Sequence, residues 1–235
     1  MSAQPQGFLV PFLTRLAFVA LANLALVVSA CAEEIVRFGE SHALYNAPAK
    51  RASVGLILLP GGDGDIGISS SGDIREQSNW IVRTRAAYAK SGIASLLLDG
   101  DVDLADAFAF LRQRTDKIVV VAQSRGSLKI PRALPNKPDA IVFTSSMLST
   151  VQKRLDTPDA LPRTLVVHHR EDFCNVTHAS DVTAFAQWAG ARVRVQWIDG
   201  GSEPMGRLCG ARHRHGFVGR ESEVVRSIVQ FVKAQ

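Results

Sequence analysis

The stretch that most constrains how this chain can fold is residues 118–126, I-V-V-V-A-Q-S-R-G. An unbroken run of apolar, mostly β-branched residues that is too short for a free-standing helix suits a strand buried on both faces of a sheet. The run stops at Ala122-Gln123-Ser124-Arg125-Gly126. A serine with a small residue two places before it and a glycine two places after it, at a strand end, meets the steric demand of a nucleophile elbow. Larger flanking side chains would collide with the neighbouring strand or helix. The hydroxyl is then held at the carboxyl edge of the sheet, above a helix amino terminus that favours negative charge. The same residues also fit a capping serine after a buried strand, so the rest of the chain has to decide.

Residues 53–59, S-V-G-L-I-L-L, form a second such run, broken at once by Pro60-Gly61-Gly62-Asp63-Gly64-Asp65. Glycines directly after a central strand let backbone N–H groups approach a ligand, as oxyanion donors do. The turn lacks both the Lys-Ser/Thr ending of a phosphate loop and the spacing of a dinucleotide loop. Residues 93–98, 140–143, 164–169 and 193–198 are expected as further strands, and residues 35–38 and 43–45 as edge strands. Helices are expected within 74–91, over 104–114 with Asp103 as cap, over 127–134 with a disturbance at Pro131, and over 181–189 and 221–232. Residues 64–72 are rich in Ser and Gly and are expected to be mobile. Asp99, Asp101 and Asp103 resemble the start of a calcium loop, but Leu104 and Phe110 stand where its Gly and Glu belong, which excludes an EF-hand. Strands alternating with helices call for a mostly parallel, doubly wound sheet covered on both faces in one domain.

Residues 1–32 are expected to be a targeting segment and 33–235 the folded domain. Arg15 is the only charge in the segment, residues 16–28 are predominantly apolar, and Val28-Ser29-Ala30-Cys31 resembles a lipobox with Val in place of Leu. Lipidation of Cys31, cleavage after Ala30 or Ala32, and an uncleaved anchor all send the domain out of the cytoplasm, to the periplasm or envelope. The remaining two cysteines, Cys174 and Cys209, then form a candidate disulfide, the alternative being two buried thiols. The net charge of +5 is scattered and aromatics are only 7%, which argues against a nucleic-acid partner.

A serine hydroxyl needs a base, and the base needs an orienting carboxylate. In a doubly wound sheet both should hang from carboxyl ends of strands. Residues 164–169 are followed by Arg170-Glu171-Asp172, and the last strand by a loop carrying His213 and His215. Ser124 therefore has Asp172 and its rivals Glu171 and Asp199 as candidate carboxylates, and His215 and its rival His213 as candidate bases. His168, His169 and His178 read as strand-end or surface groups, and Ser145 and Ser146 as loop hydroxyls.

The Leu59-Pro60-Gly61-Gly62 turn, the Ser-Arg-Gly elbow, H-H-R-E-D-F-C at residues 168–174 and H-G-F-V-G-R-E at residues 215–221 together resemble the α/β-hydrolase superfamily, especially its small secreted members. The resemblance runs over residues 53–232. It implies an α/β-hydrolase fold with Ser124 as nucleophile, Asp172 as acid, His215 as base, and an oxyanion hole from the amides of Arg125 and of Gly61 or Gly62; the short chain between Leu98 and the elbow leaves no room there for a large cap domain. It further implies an extracytoplasmic serine hydrolase of small carboxylesters or thioesters that needs no metal or organic cofactor. An acyltransferase using the same serine and a non-catalytic envelope binding protein are the alternatives.

Overall fold

A computed structural model describes residues 1–3, 32–100 and 102–234. Most of the expected targeting segment, with Cys31, lies outside the described residues. The chain builds one eight-stranded sheet in the order β1-β2-β4-β3-β5-β6-β7-β8. The strands are β1 (Ala32–Phe38), β2 (Ser41–Ala47), β3 (Val54–Leu59), β4 (Ala94–Leu98), β5 (Lys117–Gln123), β6 (Ala140–Thr144), β7 (Arg163–His169) and β8 (Val193–Ile198). From β4 to β8 all neighbours are parallel, while β1 and β2 form an antiparallel hairpin that joins through β2 to β4. Of the two expected edge strands, only β1 lies at the edge. It begins at Ala32, the last residue of the expected targeting segment.

Alternation along the central strands divides two cores. Ile57, Leu59, Val120, Ala122, Ile141 and Phe143 face one layer, which contains α2 (Leu104–Arg112), α3 (Ile130–Ala133), α4 (Leu148–Arg154) and α5 (Ala179–Ala189). Leu56, Leu58, Val119, Val121, Val142 and Leu165 face the other, which contains α1 (Trp80–Thr84) and α6 (Glu221–Lys233). The middle stretches of β3, β5, β6 and β7 are therefore dry on both faces and read as apolar runs, whereas β8 at the sheet edge is only partly buried and carries Arg194 and Gln196. Asp103 caps α2 as expected, its Oδ1 accepting from Ala105 N at 2.8 Å.

Three local expectations change. The helix expected within 74–91 is a short α1 started by Asn79, whose Oδ1 accepts from Ile81 N, followed by a 3-10 segment over Arg85–Ser91. The helix expected over 127–134 is split into 3-10 turns on either side of α3, with Pro131 near the start of α3. The Ser/Gly-rich stretch is pinned rather than loose: Asp99, at the end of β4, accepts from the amides of Ile66, Gly67 and Ile68 at 2.7–3.1 Å, and Ile66 and Ile68 are buried. The carboxylate that opened the rejected calcium motif thus serves as an anchor for three backbone donors.

Candidate active site

Ser124 leaves β5 with φ +48°, a left-handed conformation that costs a non-glycine residue roughly 1–3 kcal/mol and persists only where packing imposes it. The packing is explicit. A Cβ at Gly126 would run into the carbonyl oxygens of Leu59 and Pro60, so only glycine lets the chain double back over β3. Ser127 Oγ donates to Ser124 O at 2.5 Å and accepts from Met147 N at 3.2 Å, tying the elbow to the turn after β6. Register places Leu59 opposite Ala122, which brings the Pro60-Gly61-Gly62 turn alongside the elbow. A Cβ at Gly61 would sit 3.0 Å from that of Ser124, and Gly62 has φ +72°. Of the three candidate oxyanion residues, Gly61 therefore lies against the serine and Arg125 follows it in the chain, while Gly62 is the next residue of the same turn.

Asp172 follows β7 in a tight turn in which its own amide donates to His169 O. Its carboxylate is 3% exposed and fully engaged: Oδ1 accepts from Cys174 N at 3.0 Å, and Oδ2 meets Thr177 Oγ1 at 3.1 Å and His215 Nδ1 at 3.0 Å. Burial pushes its pKa up, but the hydrogen bond and charge of His215, with help from His168 and the Cys174 amide, hold it below the ordinary carboxylate value. Because a carboxylate only accepts, Nδ1 of His215 carries a proton, which leaves Nε2 as the nitrogen able to take another. The Thr177 hydroxyl oxygen also lies 3.2 Å from Nδ1, clamping acid and base together. His215 sits in a 3-10 turn over Arg214–Gly216. Phe217 behind it, itself at φ +55°, packs edge-on against Trp80 of α1 with centroids 5.5 Å apart.

Among the described residues Ser124 Oγ makes no hydrogen bond to the imidazole. The rival carboxylates are occupied elsewhere: Glu171 pairs with Arg214 at 3.1 Å and Asp199 with Arg170 at 3.2 Å. His213 Nδ1 is buried without a partner.

A disulfide joins Cys174 to Cys209 and so fastens the turn bearing Asp172 to the loop leading to His215. Asp172, Cys174 and His215 cluster as a metal site might, but with the sulfur in a disulfide and His215 Nδ1 on the carboxylate they offer no such ligand set. One neighbour escaped the sequence reading: Thr177 bridges Asp172 and His215. His168 is fully buried, with Nε2 3.5 Å from Asp172 Oδ2, and burial pushes its pKa down to about 4 despite the nearby carboxylate. His169 is likewise buried, its Nδ1 accepting from Glu171 N and its Nε2 donating to Gly200 O. His168 and His169 are thus strand-end groups as expected, though interior ones, and His178 is exposed.

The sequence matches no family model and no curated relative. Solved structures do match. A serine hydrolase homologue from Coxiella burnetii superposes with TM-score 0.57 at 17% identity, covering 85% of this chain and 96% of its own. An esterase from Pyrococcus furiosus gives 0.60 at 12% identity, over 87% and 91%. The dienelactone hydrolase from Anabaena variabilis gives 0.59 at 14%, over 85% and 96%. This is the α/β-hydrolase fold. It occurs here without a large cap: β6 passes to α4 through Ser145, Ser146 and Met147 alone, and the α/β-hydrolase sheet edge stays open above the elbow.

Proposed function

We propose that this protein is a serine hydrolase that cleaves small carboxylesters or thioesters through an acyl-enzyme, with Ser124 as nucleophile, His215 as base and Asp172 as orienting acid. The observation that carries the proposal is the buried 3.0 Å contact of Asp172 with His215 Nδ1, in the same sheet edge as a serine held at positive φ. Ser124 Oγ attacks the carbonyl carbon as its proton passes to His215 Nε2. The amides of Arg125 and of Gly61 or Gly62 hold the resulting oxyanion. Collapse expels the alcohol or thiol, which takes the proton from His215, and water then repeats the sequence on the acyl-enzyme. The disulfide and the composition of residues 1–32 support an extracytoplasmic site of action. No helix among the described residues is long and apolar enough to cross a membrane.

The test is steady-state hydrolysis of short p-nitrophenyl esters and acyl thioesters by the mature domain. Ser124→Ala is expected to lower kcat by about 10⁴-fold or more, and Asp172→Asn by a comparable factor with KM little altered, since both act on the transition state. Activity retained in Ser124→Ala would contradict the proposal.

A further inference from the structure

Beside the Gly61–Gly62 turn, and walled by the residues that follow Ser124, lies a hollow of about 230 Å³ to which Gly62, Asp63, Arg125, Lys129, Arg132 and Arg154 all contribute. The cations come from three separate parts of the fold: Arg125 from the elbow, Arg132 from α3 and Arg154 from the last turn of α4. Some surface arginines meet carboxylates, as in Arg75 with Asp65, Arg83 with Glu221, Arg85 with Glu33 and Arg192 with Asp159, while among the described residues others, such as Arg194 and Arg226, stand singly. What sets this hollow apart is that three such cations line one concavity. Among the described residues none of Arg125, Arg132 and Arg154 has a carboxylate in ion-pair range. Arg154 spends one N–H on Leu128 O at 3.3 Å, while Arg125 and Arg132 donate to nothing. Lys129 is engaged with Gly100 O, and Asp63, the carboxylate at the rim among the described residues, accepts from Asp65 N.

Three guanidinium groups converging on one hollow repel each other unless something negative joins them. Their planar forks match an oxyanion group of two or three oxygens. Pro60 and Leu128 are the main apolar contributors to the wall, so a long acyl chain gains little there. We propose that this hollow is a substrate subsite for a carboxylate or phosphate group, and that the ester cleaved at Ser124 is an anionic one. The anion is held by Arg125, Arg132 and Arg154 while the scissile carbonyl lies at the elbow. This rests on the hydrolase reading above, and it narrows that reading from small esters to esters bearing a second, charged group.

The experiment compares kcat/KM for three p-nitrophenyl esters of matched length on the mature, oxidised domain: the neutral butyrate, the hemisuccinate and the 3-phosphonopropionate. The expected result is a preference of about tenfold or more for at least one anionic ester, falling with added salt. The ratio of anionic to neutral turnover should drop roughly 10- to 100-fold in the double variant Arg132→Gln/Arg154→Gln, with circular dichroism matching wild type. Which anion is favoured identifies carboxylate or phosphate as the group held. A wild-type ratio at or below one, or a ratio the double variant leaves unaltered, overturns the subsite while turnover of the butyrate leaves the hydrolase reading standing. No turnover of any ester and no covalent labelling of Ser124 overturns that reading and the subsite with it.

Discussion

The positive φ at Ser124 and the closure of Gly126 onto the Leu59 and Pro60 carbonyls are one steric event, since the chain turns so sharply that the residue between strand and helix is forced out of its favoured basins. Spacing in the sequence reveals this event because it demands small residues at fixed positions. Thr177 and His168 left no such trace. A threonine five residues after an aspartate is unremarkable until the turn folds back, and His168 becomes a neighbour of Asp172 only through the geometry at the end of β7. His168 has a measurable consequence. Above its ordinary value of 6.5 it is neutral in both folded and unfolded chains and contributes no pH dependence. As the pH falls below 6.5 the unfolded chain binds a proton that the folded one refuses until about pH 4, so folding stability declines across that window and levels off beneath it. The loss expected is about 3 kcal/mol at most. Urea midpoints measured from pH 7 to pH 4 should show this limb, and His168→Gln should flatten it. An identical limb in the variant would assign the acid sensitivity to other groups. Asp172, with its pKa held low, adds stability that is lost only at still lower pH.

Among the elements, the strands were legible because a parallel strand buried on both faces is apolar through its middle, as β3, β5, β6 and β7 are, with polar residues only toward their ends. Helices were harder to place. The short α4 went unseen because its burial rests on Leu148 and Val151 alone, too few residues to establish a period. The loop after β3 was misread as mobile because its order comes from a carboxylate on β4, distant in sequence, and not from its own composition. The pairing of Cys174 with Cys209 was open to cysteine counting, but its role depends on where those loops meet. The bond closes a separation of 35 residues, for which the chain-entropy account gives roughly 4 kcal/mol. Reduction, or Cys174→Ala with Cys209→Ala, is therefore expected to lower the urea midpoint and to depress kcat more than it raises KM, because the acid and base loops lose their tether. Unchanged kcat in the reduced protein would confine the bond to stability.

For the whole molecule, the order of strands decides what the chain can do. Parallel strands β5, β6 and β7 deliver Ser124, the turn at Ser145 and Asp172 to one edge, and neighbouring strands lie about 4.8 Å apart, so the proposed nucleophile and acid stand on strands roughly 10 Å apart. His215 spans that gap from the loop between β8 and α6, braced by the Phe217–Trp80 contact on the opposite face. The open edge, with no large cap above it, accords with a small, polar substrate rather than a long acyl chain. The central claim is that Ser124 is a nucleophile activated by His215. The measurement that tests it most directly is intact mass of the mature domain after exposure to a fluorophosphonate, alongside Ser124→Ala and His215→Ala. A single adduct on the wild type, absent from Ser124→Ala and strongly slowed in His215→Ala, is the result predicted. A folded wild type that takes no adduct, or a Ser124→Ala variant that still takes one, would contradict the account.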